Sequence, residues 1–360
     1  MRVLICPDKF AGTLSAAEAA EAVAAGWRRV RPADELVRRP LADGGPGFVD
    51  VLAAAQPSGK RFPVRTADPL GRPVDAEIFV LGDTAYAESA QACGLHHLKP
   101  AGGPDRRDPL HASSVGLTAL LLAAAGVPGV RRIVVGLGGS GTNDAGVEML
   151  AALGHPEPAR AFGRPDPGRL GSLDGVELIG ATDVDNPLTG PRGATRVFGP
   201  QKGATGPVLD DLEAALVRVA AVLGPQVAET PGAGAAGGLG AALLALGGRL
   251  VSGITLVREA TGLDAEIARA DLVITGEGSF DEQSLHGKVI DGVAGTARRH
   301  EVPCYVLAGR STVSAAEAAG AGVTAVESLV DTFGTDRALH HAEESLILLA
   351  AQVAGRFPPR

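Results

Sequence analysis

Hydrophobic and polar positions follow two periods along this chain, and the periods alternate in a repeating order. The apolar run VLIC ends in Asp8 and gives way to SAAEAAEAVAAGWRR, where alanines recur at helical spacing behind a serine cap. ELVRRPLADGG repeats the theme of a strand followed by an acid, Asp43, and FVDVLAAA supplies a short helix. Strand, polar tip and helix in that order predict an open, mostly parallel sheet, whose ligands sit beyond the carboxyl ends of the strands. Asp8 and Asp43 both fall at such ends.

The texture changes near residue 61, where two extended stretches flank the turn-like DPLGRP and predict antiparallel ribbons. A helix over SSVGLTALLLAAAG, a strand in RRIVVGLGG, a helix in NDAGVEMLAALG and a strand in ELIGATDVDNP follow. GHPEPARAFGRPDPGRLGSLDG reads as a surface connection. GPVLDDLEAALVRVAAVLG has a clean helical period, and PGAGAAGGLGAALLALG is a glycine-rich loop entering a helix. The tail returns to the first rhythm: DLVITGEGS, a helix through VIDGVAGTARRH, the strand VPCYVLAG, a helix in SAAEAAGAG, the strand VTAVESLV and a last helix over LHHAEESLILLAAQVAGRF. Similar ends around a different middle predict a Rossmann-like α/β domain of residues 1–60 and 256–360, interrupted by an inserted α/β domain of residues 61–255. Two domains in series are the alternative.

Length and composition agree with this. At 360 residues the chain exceeds the size at which one core usually keeps growing, and 45% hydrophobic with 21% charged residues is ordinary for a globular protein. A net charge of -8, with basic doublets scattered along the chain, argues against nucleic acid as a partner. The apolar stretch VGLTALLLAAAGVPGV is broken by Gly126, Pro128 and Gly129, so no membrane span is expected. Cys6, Cys93 and Cys304 form no pairing pattern and no leader precedes VLIC, which points to the cytoplasm. No sequence feature marks an oligomeric state.

The chemistry concentrates in a few stretches. In GLGGSGTND a strand turns toward a helix through Gly138, Gly139 and Gly141, with Ser140 and Thr142 as donors and Asn143 or Asp144 as cap or inward polar group. Glycines let a chain turn tightly and let an anion reach the amides at a helix start. GxxxxGK[ST] is absent. Gly136, Gly138 and Gly141 meet the GxGxxG spacing, but no acid follows in register, so a phosphate cradle is favoured over dinucleotide binding or a purely structural turn. ITGEGSFDEQSLHGK reads as a second such turn, built on Gly276, Gly278 and Ser279, with Asp281 or Ser284 as cap and His286 and Lys288 at its end. Of the five lysines, Lys9, Lys202 and Lys288 lie in Gly- or Asp-rich turns, suited to neutralising phosphate. Solvated surface lysines are the alternative.

In ATDVDNPLTG, Asp183 and Asp185 stand two apart at a predicted strand end, beside Asn186. That spacing puts both carboxylates on one side of an extended segment, suitable for Mg²⁺ through oxygen ligands and water; an Asx turn before Pro187 is the competing reading. No zinc ligand set and no GxSxG elbow occur. Two anion turns, isolated lysines and an acid pair predict phosphoryl transfer, which needs positioning and charge neutralisation more than a nucleophile on the protein. Asp8, Asp43 and Asp183 are candidate bases by position, with Lys9 beside Asp8; for Asp183 a base or hydroxyl-orienting role is preferred to that of a metal ligand.

The same stretches resemble the type 1 glycerate kinase family, bacterial enzymes that phosphorylate D-glycerate with ATP. The resemblance runs through PDKFAGTLSA, ADGG, DPLG, GLGGSGTNDAG, TDVDNPLTGPRGA, FGPQKGA, PGAGAAGGLGAAL and ITGEGSFDEQSLHGK, from residue 7 to about 288. It implies a two-domain α/β protein with its active site in the cleft between domains, ATP and Mg²⁺ as cofactors, and the 2-hydroxyl as acceptor. Glycerate 3-kinase, a kinase for another small hydroxy acid, and a nucleotide- or acid-binding homologue without activity are the alternatives. The family usually has lysine at Ala11, glutamate at Pro46, threonine near Phe48 and glutamate at Ala119, departures that bear on the acceptor and on the strength of the activity. Glycerate's carboxylate calls for paired donors. Arg65 before DPLG and Arg107 before the SSVG helix entry are candidates, with Ser114 and Lys202.

Overall fold

Val3, Leu4 and Ile5 are buried on both faces of their strand, the pattern of a central strand in a parallel sheet. The computed structural model describes residues 1–10, 12–100, 102–164, 168–285 and 289–358. Its strands are, in chain order, β1 Arg2–Ile5, β2 Glu35–Arg38, β3 Lys60–Ala67, β4 Pro73–Leu81, β5 Thr84–Glu88, β6 Arg132–Gly136, β7 Glu177–Ala181, β8 Arg249–Val251, β9 Leu272–Phe280, β10 Cys304–Ser311 and β11 Ala325–Ser328. They form two sheets, one in each of two compact α/β units.

The first unit comprises residues 1–43, 50–55 and 254–360. Its sheet runs β11-β10-β9-β1-β2, every pair parallel. Chain order reverses between β1 and β9, which makes that junction the topological switch point where ligands of open α/β sheets bind. Helix Ala16–Val30 starts at a capping box, Ser15 Oγ accepting from the Glu18 N–H and the Glu18 carboxylate accepting from the Ser15 N–H. Its buried face, with Trp27, packs in one core with Leu346, Leu349 and Val353 of helix Ala342–Ala354.

The second unit comprises residues 44–49 and 56–253. Its sheet runs β3-β4-β5-β6-β7-β8. β3 and β4 pair antiparallel across DPLGRP, β4 and β5 pair antiparallel across Gly82-Asp83, and β5 to β8 pair parallel. Asp68 closes the DPLGRP turn, its N–H donating to Arg72 O (2.8 Å) and its carboxylate accepting from the Leu70 and Arg72 amides.

Four expectations change. ITGEGS is not a turn: β9 continues through it to Phe280, paired with β10 as far as Ser311. Its glycines serve strand packing, since a Cβ on Gly276 would meet Leu307 O at 2.0 Å. The helix after GLGGSGTND begins only at Val147, because Ala145 and Gly146 take left-handed backbone first. The Pro- and Gly-rich connection contains a helix, Glu157–Phe162, capped by left-handed Gly163. The last predicted helix is two, Thr335–His340 and Ala342–Ala354, broken at non-helical His341.

Candidate functional site

In the first unit the chain leaves β1 through Pro7 and brings Asp8 to the switch point, where its N–H donates to Gly276 O of β9 (2.8 Å). Lys9 bridges two acids there, its Nζ 3.5 Å from Asp8 Oδ1 and 3.5 Å from Asp43 Oδ1. Asp8 is buried, and that burial lifts its pKa to about 6 although Lys9 pulls it down; Asp43 adds to the rise. Burial also opposes the Lys9 charge, but Asp43 and Asp8 together outweigh it and hold the ammonium above the usual lysine range. A carboxyl that changes protonation near neutral pH beside a fixed cation is equipped to take a proton from a hydroxyl.

In the second unit the segment Gly44–Phe48 lies across the carboxyl ends of β6 and β7. Gly44 and Gly47 have φ of +90° and +95°, and a Cβ on Gly44 would meet Ala181 O at 2.6 Å. The Gly47 N–H donates to Glu88 at the end of β5 (2.9 Å), and Phe48 is buried. Pro46 lies over the glycine turn, its ring where a Cβ on Gly139 would be (2.6 Å to Cγ).

The turn folds inward. Gly139 has φ +66°, the Gly141 N–H donates to Cys93 O (2.7 Å), and Ser140, Thr142, Asn143 and Asp144 are all buried. Asp144 accepts from the Ser114 N–H (2.9 Å) and hydroxyl (2.7 Å). Burial nonetheless pushes its carboxyl above the ordinary range. Asn143 Nδ2 donates to Thr195 Oγ1 (2.9 Å). The glycine-rich loop packs from the other side, left-handed at Ala236, Gly237 and Gly238, and a Cβ on Gly237 would meet Thr142 O at 2.0 Å.

Lys202 completes this set. Its ammonium donates to Ser140 Oγ (2.9 Å) and Thr142 O (2.6 Å). The side chain is buried, and desolvation drives its pKa down to about 7 against the opposing pull of Asp144 and Cys93. Arg107 stands nearby, donating to Gln201 O (2.9 Å) and held by Asp105.

The structure therefore gathers Gly138 to Asp144, Ser114, Lys202 and Arg107 in one unit, and Asp8, Lys9 and Asp43 in the other. It does not bring Arg65 to either group: Arg65 is exposed on β3 and paired with Asp75. Gly276, Gly278 and Ser279 lie within β9, Ser279 accepting from Arg310 (2.9 Å). Asp281 follows the strand, its N–H donating to Ser284 Oγ (3.3 Å). His286 and Lys288, like Ala11, lie outside the described residues. Asp183 follows β7 half-buried, whereas Asp185 is exposed and Asn186 donates to Arg192 O (2.7 Å). Sequence reasoning passed over Glu88 and Thr195. The acid ending TAYAE obeys the strand-then-acid rule that singled out Asp8.

The donor chemistry at Asp183 and Asp185 fits Mg²⁺, a hard cation that keeps waters and takes one or two carboxylates together with phosphate oxygens. Among the described residues no group of three or more His, Cys, Asp or Glu is arranged to hold a metal, and no helix is long and apolar enough to cross a membrane. The three cysteines are buried and free.

An α/β molecule with polar loops at the carboxyl ends of its parallel strands describes a broad class, and comparison with known proteins narrows it. The glycerate kinase family model matches residues 3–163 and 166–357, and the chain belongs to that family. It is 41% identical to a glycerate kinase of Bacillus subtilis (98% of this chain, 97% of the relative) and 40% identical to a glycerate 2-kinase of Escherichia coli (98% and 97%). An uncharacterised protein of Mycobacterium tuberculosis is 45% identical (99% and 92%). The fold matches the crystal structure of a Salmonella typhimurium LT2 protein assigned as glycerate kinase 2, with a TM-score of 0.75, 38% identity and coverage of 99% of this chain and 98% of that one.

Proposed function

We propose that this protein is an ATP- and Mg²⁺-dependent kinase that phosphorylates D-glycerate on its 2-hydroxyl. The observation that carries the reading is the pairing of proton-handling and charge-handling groups at the carboxyl ends of parallel strands: Asp8 with Lys9 and Asp43, and the glycine turn with Lys202. Family membership supplies the reaction class.

Asp8 is assigned the acceptor hydroxyl's proton, because a base works best when its pKa lies near the working pH. Lys9 keeps that carboxyl oriented and offsets the charge of Asp43 beside it. The Gly138, Gly139 and Ser140 amides with the Ser140 and Thr142 hydroxyls are assigned as donors for oxyanions, the Gly141 N–H being taken by Cys93 O, and their buried setting means little reorganisation when charge develops. Asp183 and Asp185 would hold Mg²⁺, which when bound neutralises phosphate charge. Asp183 also suits orientation of the acceptor hydroxyl, and Lys288 and His286 are assigned to the nucleotide on sequence grounds alone. A small organic acid and ATP are the proposed partners in a cytoplasmic reaction.

Phosphorus NMR of the product formed from D-glycerate and ATP tests substrate and regiochemistry together. A 2-phosphoglycerate resonance is expected; dominant 3-phosphoglycerate would refute the assigned hydroxyl, and no product would refute the kinase. The reading in which another small hydroxy acid is the acceptor has one observation in its favour, the Pro46 ring lying over Gly139. A panel of 2-hydroxy acids in the same assay decides it, by whether any exceeds D-glycerate in kcat/KM.

A further inference from the structure

Lys202 is a buried cation to which the structure gives no anion. Its ammonium has three N–H donors and two acceptors, Ser140 Oγ and Thr142 O, and no carboxylate pairs with it among the described residues. Burying an uncompensated charge is unfavourable, so a site that keeps one has a use for it. Lys202 also does not stand in a sealed core. With Gly138, Gly139, Ser140 and Gln201 it lines a pocket of ≈ 130 Å³. That is room for several water-sized groups, enough to admit the carboxylate of a small acid.

We propose that this pocket receives the carboxylate of the acceptor acid, which becomes the counter-ion that the Lys202 ammonium lacks. The inference rests on the kinase reading above and adds the position of the acid group to it. One lysine balances one negative charge, which suits a monoanion better than a polyphosphate chain. Arg107, the other cation at this loop, is already held by Asp105 and Gln201 O. The titratable groups that face Lys202 are Asp144 in the glycine turn and Cys93 of the short helix Ala90–Cys93. Neither offsets its burial, which brings the pKa of the amine down to about 7 in the protein alone. A carboxylate entering beside Nζ favours the charged form. Binding of the acid above pH 7 therefore draws a proton from solvent onto Lys202, and nucleotide binding alone does not.

Isothermal titration calorimetry on the whole enzyme, at pH 8 and pH 6 in buffers of different ionisation enthalpy, reads that proton directly. Three ligands are titrated: D-glycerate into enzyme saturated with Mg²⁺ and β,γ-imido-ATP, the nucleotide analogue alone, and inorganic phosphate alone. Substantial proton uptake per D-glycerate at pH 8, much smaller at pH 6, is the expected result for a group titrating near 7. Lys202→Met should abolish the uptake and weaken D-glycerate about 10- to 100-fold while leaving the nucleotide analogue bound as before, and Ser140→Ala should weaken D-glycerate less. D-glycerate binding without proton uptake at pH 8 would overturn the inference, as would uptake with nucleotide or phosphate alone. If Lys202→Met fails to fold, the wild-type uptake still decides. Phosphoryl transfer to D-glycerate, measured on the same sample, separates the two readings: an active enzyme without uptake loses only the carboxylate pocket, and an enzyme that neither binds nor phosphorylates D-glycerate loses both.

Discussion

At the scale of single residues, the two perturbed groups give opposite pH requirements. Asp8 must be ionised to accept a proton, and its raised pKa of about 6 means that activity falls as pH drops through that value. Lys202 must be charged to hold a carboxylate, and its lowered pKa of about 7 means that capture of the acid weakens as pH rises through that value. The expected kcat/KM for D-glycerate is therefore a narrow bell between these limbs. Lys9 pulls the Asp8 pKa down and Asp43 pushes it up. Lys9→Met should consequently move the acidic limb to higher pH, and Asp43→Asn should move it to lower pH. A wild-type profile that stays flat down to pH 5, or limbs that move in the reverse sense, would remove Asp8 from the role of base.

At the scale of elements, the glycine-rich loop and the glycine turn are two backbones packed without side chains between them. Gly237 has φ +72° and leaves no room for a Cβ against Thr142 O. Gly237→Ala should destabilise the protein by about 2–5 kcal/mol, the sum of a left-handed penalty and an overpacking one. Ala236, already left-handed at φ +52°, gives the converse: Ala236→Gly should be neutral or stabilising by up to about 1 kcal/mol. Urea unfolding midpoints measure both, and a Gly237→Ala midpoint equal to wild type would show that the loops can separate at little cost. The same elements mark how far sequence reading reaches. The alternation of strand and acid placed Asp8 and Asp43, and Ser15 with Glu18 announced a helix start, because those signals are local. ITGEGS looked like a turn because glycine is permissive, and only the pairing with β10 reveals that its glycines admit a neighbouring strand. Lys202 was legible as a lysine in a turn, but its burial depends on Ser140, 62 positions away. The acidic pair in TDVDNP was visible too, whereas the exposure of Asp185 and the burial of Asp183 Oδ1 belong to the folded loop.

At the scale of the whole molecule, the two sheets differ in how far apart along the chain their neighbouring strands lie. In the second unit β3 to β8 all come from residues 60–251, a continuous stretch. In the first, β1 pairs on one side with β2 and on the other with β9, Val3 standing opposite Leu272. During synthesis β1 is therefore made before the intervening unit and completed only when β9 follows, after that unit has had time to fold. Its apolar faces, Val3 to Ile5, stay without their central partner over that interval, and such segments are the ones that chaperones shield and that aggregate when shielding fails. Chains arrested at residue 253 on the ribosome should resist protease across residues 56–253 yet be cut readily within residues 1–43; equal resistance of both would mean that β1 and β2 find order without β9. β1 thus emerges before the whole second unit and is housed only after it, and the order of translation leaves the carboxylate proposed as the base waiting for β9.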